Sequence, residues 1–424
     1  MTAARVSGAV STGAVDVTRI TALIAEFARL SEGGPGVTRL AYTQLERQAH
    51  AVFTSIMEDL GLKVWTDAVG NTIAERAGTG ASPKAIGTGS HLDSVPQAGR
   101  FDGIVGVVSA LEVARIITDR GLEHRHPLRF VVFAGEEGAR FGQACTGSKL
   151  ISGLCTEEDL DHRLDKDGIS IAQAMRSIGL DPTKVKEARW SEEDWAAFIE
   201  LHVEQGAVLD RTGIPIGVVD LISGSTRLEI EITGQASHTG ATPMNQRSDA
   251  LAAAAEVVLL AESIANDVKH HGTRATVGKL DLRPGSITTI PGFTRLAVDV
   301  RDVDSDRQRH TATELVTRAQ AICDRRGVQM AFNILADASP VVLPVWVRQL
   351  VVNTCVEAGL RYRVMTSGAS HDAQMVNRII PTGMIFIPSK DGISHDPAEW
   401  TAPTDIAVGI EVLLQSLLAL DQRV

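Results

Sequence analysis

The chain has 424 residues, which is too long for one ordinary hydrophobic core, so its length predicts two domains. Apolar residues make up 44% and charged residues 22% of it, as in soluble globular proteins, and its net charge of −11 argues against a nucleic-acid-binding surface or a polybasic membrane patch. No apolar run reaches the roughly eighteen residues of a membrane helix, and the N-terminus lacks the apolar stretch of a secretion signal. We therefore expect a cytoplasmic protein that binds neither nucleic acid nor membranes.

The four cysteines show neither a CxxC pair nor the spacing of a disulfide framework: Cys145, Cys155, Cys323 and Cys355. This pattern favours free thiols in a reducing compartment. A catalytic thiol at Cys145 is the alternative, because this residue lies close to an acidic pair described below.

The N-terminal part carries no candidate for chemistry. Residues 1–16 are mostly small and polar, and we expect them to be poorly ordered. The apolar spacing that follows predicts amphipathic helices over residues 17–30 and 42–60, and short strands over residues 62–66 and 72–75.

The first candidate site lies in residues 87–109, which read GTGSHLDSVPQAGRFDGIVGVVS. A short apolar strand ends at His91 and Asp93, a turn-rich loop follows, and Asp102-Gly103 precedes a helix that begins at about Ile104. Histidine and aspartate are ligands of divalent transition metals, and Asp93 could orient the His91 imidazole. In the alternative interpretation, Asp102 only caps the helix.

The second candidate lies where the apolar run of residues 128–134 ends in Glu136 and Glu137. The run is typical of a strand buried on both faces, and ligands of open α/β sheets bind beyond the carboxyl ends of strands. One carboxylate could bind a metal while its neighbour transfers protons. A solvated acidic turn is the alternative.

An inserted segment is predicted at residues 222–338, after a strand at residues 198–205 that carries His202 and Gln205 near its end. Its strands alternate apolar and polar side chains, which is typical of an antiparallel sheet with one open face. The expected elements are strands at 227–233, 275–280, 287–290 and 295–300, and helices at 248–266 and 306–326.

The closing part carries MTSGASHD at residues 365–372, DGISHDPAE at residues 391–399 and a last helix at residues 407–418. It completes a set of five ligand-type residues that lie at predicted strand ends or in the loops just after them: His91, Asp102, Glu137, His202 and His395. One such histidine is usually structural. Five residues in such positions favour a metal site.

Long motifs spread along the chain carry a family resemblance: GSHLDSVPQAGRFDGIVG, FAGEEGARFG, ELHVEQG, ASHTGATPM, VDVRD, SGASHDA and SKDGISHDP. The sequence resembles the N-carbamoyl-L-amino-acid hydrolase and allantoate amidohydrolase family of the dizinc aminoacylase/exopeptidase superfamily. The resemblance implies an α/β fold, with a mixed sheet flanked by helices and an inserted α+β domain. The catalytic domain would comprise residues 1–221 and 339–424, and the lid and dimerisation domain would comprise residues 222–338.

The resemblance also implies a role for each ligand-type residue. Asp102 would bridge two divalent metal ions, with His91 and His202 on one and Glu137 and His395 on the other. Glu136 would be the general base that takes a proton from the attacking water and passes it to the leaving nitrogen. Zn²⁺ suits these ligands, and Mn²⁺, Co²⁺ or Ni²⁺ would be accepted by the same set.

Substrate contacts are implied in the same way. Arg301 would bind the substrate carboxylate, Gln205 the ureido or amide group, and His238 the oxyanion across a homodimer interface. The loop containing Gly368, Ala369 and His371 would line the carboxylate side. For Arg301 the alternative is a surface charge beside Asp302.

One stretch departs from the family. Thr288 stands where the family commonly has an asparagine that contacts the substrate, and Gly285 replaces another common asparagine. The leading hypothesis is therefore a binuclear-metal amidohydrolase that cleaves the carbamoyl C–N bond of an N-carbamoyl-L-amino acid or a related ureido acid. An N-acyl-amino-acid amidase, an allantoate-type enzyme and a metal-free binding protein are the alternatives.

Overall fold

The computed structural model of the protein describes residues 15–424, so the expectation for residues 1–14 lies outside the described part. The described residues form twelve α-helices: α1 (Val17–Arg29), α2 (Gln44–Asp59), α3 (Ile104–Arg120), α4 (Thr146–Ser152), α5 (Glu157–His162), α6 (Ile171–Ser177), α7 (Val208–Thr212), α8 (Ala250–Ala265), α9 (Ser305–Arg326), α10 (Val345–Glu357), α11 (Asp372–Val376) and α12 (Pro403–Arg423). They also form fifteen β-strands: β1 (Lys63–Thr66), β2 (Thr72–Arg76), β3 (Ala85–His91), β4 (Leu128–Phe133), β5 (Trp195–Val203), β6 (Ile216–Ile222), β7 (Gly224–Thr233), β8 (Ser237–His238), β9 (Arg274–Arg283), β10 (Thr289–Ile290), β11 (Phe293–Asp302), β12 (Gln329–Ala338), β13 (Val341–Val342), β14 (Tyr362–Ser367) and β15 (Thr382–Ile387).

The chain divides into two compact units. One unit includes the chain up to Asp220 and resumes at Val342–Val424, and the other is Leu221–Val341. The lid and dimerisation roles expected for the inserted segment remain predictions.

The first unit is built on a nine-stranded mixed sheet in the order β1-β2-β4-β3-β5-β15-β6-β13, with β14 paired to β6. Strands β4, β3, β5 and β15 run parallel to their neighbours within this group. Every residue of β3 is buried, and all of β4 except Arg129, as expected for strands covered on both faces. The mixed α/β fold predicted from the sequence is confirmed, and four parallel strands direct their carboxyl ends to one edge of the sheet.

The last helix, α12, is long and apolar enough by length and composition to cross a membrane. In the structure, 56% of its most apolar window is buried inside the protein, where it packs against α3, α10 and β15. Buried core helices of water-soluble domains share this length and composition, so these two properties of α12 are only weak evidence for a membrane span.

The second unit contains an antiparallel sheet in the order β12-β7-β11-β9, with α8 and α9 packed on it and a separate pair of strands, β8 and β10. Side chains of β11 alternate between buried and partly buried positions, so one face forms the core, as the alternating sequence predicted. The last element expected in this segment was the helix at residues 306–326. This was wrong, because a further strand, β12, follows that helix and pairs with β7.

Candidate functional site

The parallel strands of the first unit bring the ligand-type residues together. His91 ends β3, His202 lies near the end of β5, Glu137 follows β4, and His395 lies in the loop after β15. With Asp102 they form two clusters, His91–Asp102–His202 and Asp102–Glu137–His395, in each of which the ligand atoms lie within 4.8 Å of one another. This is the edge at which ligands bind in open α/β sheets.

Asp102 belongs to both clusters and directs one oxygen to each. Its Oδ1 lies 3.2 Å from Nε2 of His202 and 3.7 Å from Nε2 of His91, whereas its Oδ2 lies 3.3 Å from Nε2 of His395. Oε2 of Glu137 is also 3.3 Å from that His395 nitrogen. The helix-cap interpretation of Asp102 was wrong, because Gly103 occupies the cap position of α3 without a side-chain cap hydrogen bond.

Gly103 is required by the close approach of the site. Its φ of 67° lies in the left-handed region, and a Cβ there would overlap the His91 ring. A glycine between Asp102 and α3 therefore lets the backbone pass against a ligand-type imidazole.

Hydrogen bonds assign the tautomers of the two imidazoles in the first cluster. Nδ1 of His91 lies 3.1 Å from the carbonyl oxygen of Asp93, and Nδ1 of His202 lies 2.9 Å from the carbonyl oxygen of Val203. A carbonyl can only accept, so Nδ1 of each ring carries a hydrogen and Nε2 is the ring atom that faces Asp102. This is the arrangement of metal-binding histidines.

The charges of the clusters favour a cation. Burial alone would raise the pKa of Asp102, but His202 and His395 outweigh it and hold that pKa well below its ordinary value. Hydrogen bonds to Asp102 and Glu137 raise the pKa of His395 to about 11. Oε1 of Glu137 is buried and has no hydrogen-bond partner among residues 15–424. Imidazole nitrogens, carboxylate oxygens and this open acceptor fit divalent transition-metal ions.

Glu136 lies beside the first cluster and is 6% exposed, so the interpretation as a solvated acidic turn was wrong. Its Oε2 is 3.8 Å from Nε2 of His91. Burial raises the pKa of Glu136 to about 7, with Glu137 acting in the same direction and His91 against it. A carboxyl group with a pKa near neutrality can both accept and return a proton.

The backbone that carries the two glutamates is held by side chains from three other segments. Successive N–H groups donate to Oδ1 of Asn71 (from Ala134, 2.9 Å), Oε1 of Glu46 (from Gly135, 3.0 Å), Oδ1 of Asp93 (from Glu136, 2.9 Å) and Oδ2 of Asp93 (from Glu137, 3.0 Å). Asn71 and Glu46 were not predicted as site residues, because a turn asparagine and a helix glutamate carry no signal of such a role.

Gln205 is also placed against Asp102. Its Nε2 donates to Oδ2 of Asp102 at 2.6 Å, and Oγ of Ser394 donates to the same oxygen at 2.9 Å. Both Gln205 and His395 have left-handed φ values, 57° and 58°, a strain that is common at functional sites. Glu399, which the sequence analysis missed, accepts the N–H groups of Phe101 and Asp102 and so holds the segment that carries Asp102.

The loop after β14 brings a further histidine to the first cluster. The ring of His371 lies 4.5 Å from the ring of His202, centroid to centroid, and its Nε2 is 2.9 Å from Oγ of Ser367. The same hydroxyl donates to the carbonyl oxygen of Ala369 at 2.8 Å, so Gly368 and Ala369 lie in a turn closed by Ser367.

In the second unit, His238 and Thr288 are neighbours. Strand β8 pairs His238 with Thr289, and the N–H of Thr239 donates to the carbonyl oxygen of Thr288 at 3.2 Å. Nδ1 of His238 accepts two backbone N–H groups, from Gly240 and Ala241, so its Nε2 carries the hydrogen and can donate.

Arg301 and Gly285 complete the expected substrate residues of this unit. Nε of Arg301 donates to Oδ2 of Asp299 at 2.9 Å, whereas Asp302, suggested as its neighbouring charge, pairs with Arg307. Gly285 has a φ of 69°, a conformation that asparagine tolerates better than most other residues with a side chain.

A mixed sheet with histidines and carboxylates at the ends of parallel strands, next to a buried glutamate with a raised pKa, defines a hydrolase with candidate metal ligands. The chain belongs to the Peptidase family M20/M25/M40, whose model matches residues 87–419.

Relatives of known name cover nearly the whole chain. The chain is 39% identical over 388 residues to an N-carbamoyl-L-amino acid amidohydrolase of Geobacillus stearothermophilus, covering 91% of this chain and 94% of the relative. It is 36% identical over 421 residues to a ureidoglycolate hydrolase of Oryza sativa subsp. japonica, covering 98% and 87%. A crystal structure of a hydantoinase/carbamoylase family amidase from Burkholderia vietnamiensis matches with a TM-score of 0.90 at 35% identity, covering 97% and 98% of the two chains.

Proposed function

We propose that the protein hydrolyses the ureido C–N bond of an N-carbamoyl-L-amino acid or a related ureido acid, yielding the amino acid, carbon dioxide and ammonia. The observation that carries the proposal is the buried Glu136, whose pKa is about 7, beside a site in which Asp102 joins two ligand clusters. The named relatives support the ureido substrate, because they include an N-carbamoyl-amino acid amidohydrolase and a ureidoglycolate hydrolase.

The proposal includes two divalent cations, with Zn²⁺ as the first choice and Mn²⁺, Co²⁺ or Ni²⁺ as alternatives. His91 and His202 would hold one cation, Glu137 and His395 the other, and Asp102 both. When bound, such cations lower the pKa of water and stabilise negative charge on a carbonyl oxygen.

The protein's own residues would handle the proton and the substrate. Glu136 takes a proton from the attacking water as the C–O bond forms, and returns it to the nitrogen as the C–N bond breaks. The proposal assigns the substrate carboxylate to Arg301, the oxyanion to the Nε2–H of His238 and the ureido group to Gln205. Gly368, Ala369 and His371 would line the carboxylate side.

An N-acyl-amino-acid amidase is the second candidate, and Thr288 favours it. A threonine offers a hydroxyl and a methyl group where the family commonly has an amide, and the Thr288 hydroxyl lies 3.3 Å from that of Ser286 on an exposed turn. The shorter side chain and its methyl group leave room for an acyl group, and the hydroxyl reaches less far than an amide oxygen to accept a hydrogen bond from a ureido nitrogen.

The proposal also includes a cytoplasmic homodimer. All four cysteines are free and buried, in keeping with a reducing compartment. The edge strands β9 and β12 expose large apolar side chains, a feature of interaction surfaces: Leu280, Leu282, Phe332 and Ile334. The molar mass from light scattering tests the dimer, and a monomeric mass would contradict it.

The experiment that tests the function uses protein reconstituted with Mn²⁺ or Zn²⁺ and matched N-carbamoyl and N-acetyl forms of the same L-amino acids. Glu136→Gln is the blank. Ammonia with free amino acid, absent in the blank, would support ureido hydrolysis. Amino acid from the acetyl series alone would replace the substrate class with the acyl alternative.

A further inference from the structure

The side chain of Cys145 contacts the general base of the proposed reaction. Cys145 directly precedes α4 and is 1% exposed, and its φ of 57° lies in the left-handed region that residues with a Cβ rarely adopt. Such conformations persist where surrounding contacts require them, and they cluster at functional sites. In this conformation Cys145 makes two hydrogen bonds to the same residue, Glu136.

Both contacts fix Glu136. The backbone N–H of Cys145 donates to the carbonyl oxygen of Glu136 at 2.7 Å, and the thiol donates to Oε1 of its carboxylate, with Sγ 3.1 Å away. The other carboxylate oxygen, Oε2, lies 3.8 Å from Nε2 of His91. The thiol therefore occupies one oxygen of the base and leaves the second turned toward the candidate metal ligands.

The thiol suits this contact because it stays protonated. Burial, together with the carboxylates of Glu136 and Asp372, raises the pKa of Cys145 well above its ordinary value. A protonated thiol donates to a carboxylate but is a poor nucleophile. These facts argue against Cys145 as a catalytic thiol, and its defined acceptor argues against an idle one.

We propose that Cys145 is a positioning residue for the general base: its thiol holds Oε1 of Glu136 so that Oε2 keeps the orientation needed to accept a proton from water. The inference rests on the proposed function, in which Glu136 transfers that proton. A hydrogen bond to one oxygen restrains rotation of the carboxylate. When a base is misaligned, kcat falls while the affinity for the substrate changes little. The role requires a hydrogen-bond donor at this position and no reaction at sulfur.

The test compares Cys145→Ala, which removes the donor, with Cys145→Ser, which keeps one. In Cys145→Ala we expect kcat to fall roughly fivefold at unchanged KM and metal content, because a weak donor to a charged acceptor is lost. Cys145→Ser should recover most of kcat. Cys155→Ala is the matched control, because Cys155 is also buried but its sulfur accepts from Gln143, and its kcat should match the wild type.

Two results would overturn the positioning role. One is a wild-type kcat in Cys145→Ala, and the other is a loss of kcat that Cys145→Ser does not recover. Glu136→Gln, assayed alongside, separates this inference from the proposed function. An inactive Glu136→Gln with a fully active Cys145→Ala removes only the role of Cys145, whereas an active Glu136→Gln removes the function on which it rests.

Discussion

Asp93 fixes the backbone of Glu136, since Oδ1 of Asp93 accepts the Glu136 N–H at 2.9 Å. The other oxygen of the same carboxylate accepts the N–H of Glu137, and the carbonyl of Asp93 accepts from the His91 ring. A single residue, Asp93, thus orients the imidazole at the end of β3 and the backbone of both glutamates that follow β4. From the sequence, Asp93 was expected to orient His91 alone.

Replacing Asp93 by asparagine should weaken metal binding. The amide presents an NH₂ group to one of the two backbone N–H groups, so one hydrogen bond becomes a contact between two donors. We expect metal affinity to fall by roughly 10–100-fold, the usual effect of losing a group that orients metal ligands. Competition with a chelator measures this. Asp281→Asn, on an exposed carboxylate that pairs with Lys279, is the control, and equal affinities in the two variants would contradict the prediction.

The two clusters predict different metal contents for two alanine substitutions. Asp102→Ala removes an oxygen from both clusters, so the purified variant should retain neither ion. Glu137→Ala removes a ligand from only one cluster and should retain the ion held by His91, Asp102 and His202. Elemental analysis of metal per chain after dialysis measures the difference. If both variants kept the same metal content, Asp102 would not be shared.

Glu46 predicts a pH dependence of stability. Burial, reinforced by Asp93, raises the pKa of Glu46 from 4.5 to about 8. Between these values the folded state holds a proton that the unfolded state releases, so stability falls as pH rises, by about 1 kcal/mol per pH unit, and levels off above the folded pKa.

The variant Glu46→Gln cannot titrate and should lose this slope. As pH increases from about 5 to about 8, the Tm of the wild type should therefore fall relative to that of Glu46→Gln. Thermal unfolding across that range measures it. Glu58→Gln, on an exposed position of the same helix, should leave the slope of the wild type unchanged. A Glu46→Gln slope equal to that of the wild type would show that Glu46 titrates normally.

The central sheet and three of its ligand-type residues could be predicted because these residues lie at the end of a buried apolar run or just after it: His91, His202 and Glu137. An apolar run such as that of β4 is typical of a buried strand or a buried helix segment. Two carboxylates just after it, Glu136 and Glu137, indicate a functional site at its end. The parallel arrangement then brings separate strand ends to one edge, so His91, His202 and Glu137 meet without any local sequence signal.

Other parts could not be predicted, because they depend on contacts between distant segments. Asn71, Glu46 and Glu399 act by accepting backbone N–H groups that belong to other parts of the chain, and polar residues in turns and helices rarely have such roles. Strand β12 was missed because most of its residues lie exposed on an edge strand.

Thr288 predicts how the substrate preference can be changed. If the hydroxyl of Thr288 replaces an amide that binds the ureido group, Thr288→Asn should raise kcat/KM for an N-carbamoyl amino acid relative to its N-acetyl form. We expect a change of roughly tenfold, the value of one hydrogen bond made in the transition state. Paired assays on the same amino acid measure the ratio, so losses common to both substrates cancel. Ser286→Asn, on the neighbouring hydroxyl, is the control and should leave the ratio unchanged. An unchanged ratio in Thr288→Asn would remove this residue from substrate recognition and leave the proton chemistry of Glu136 untouched.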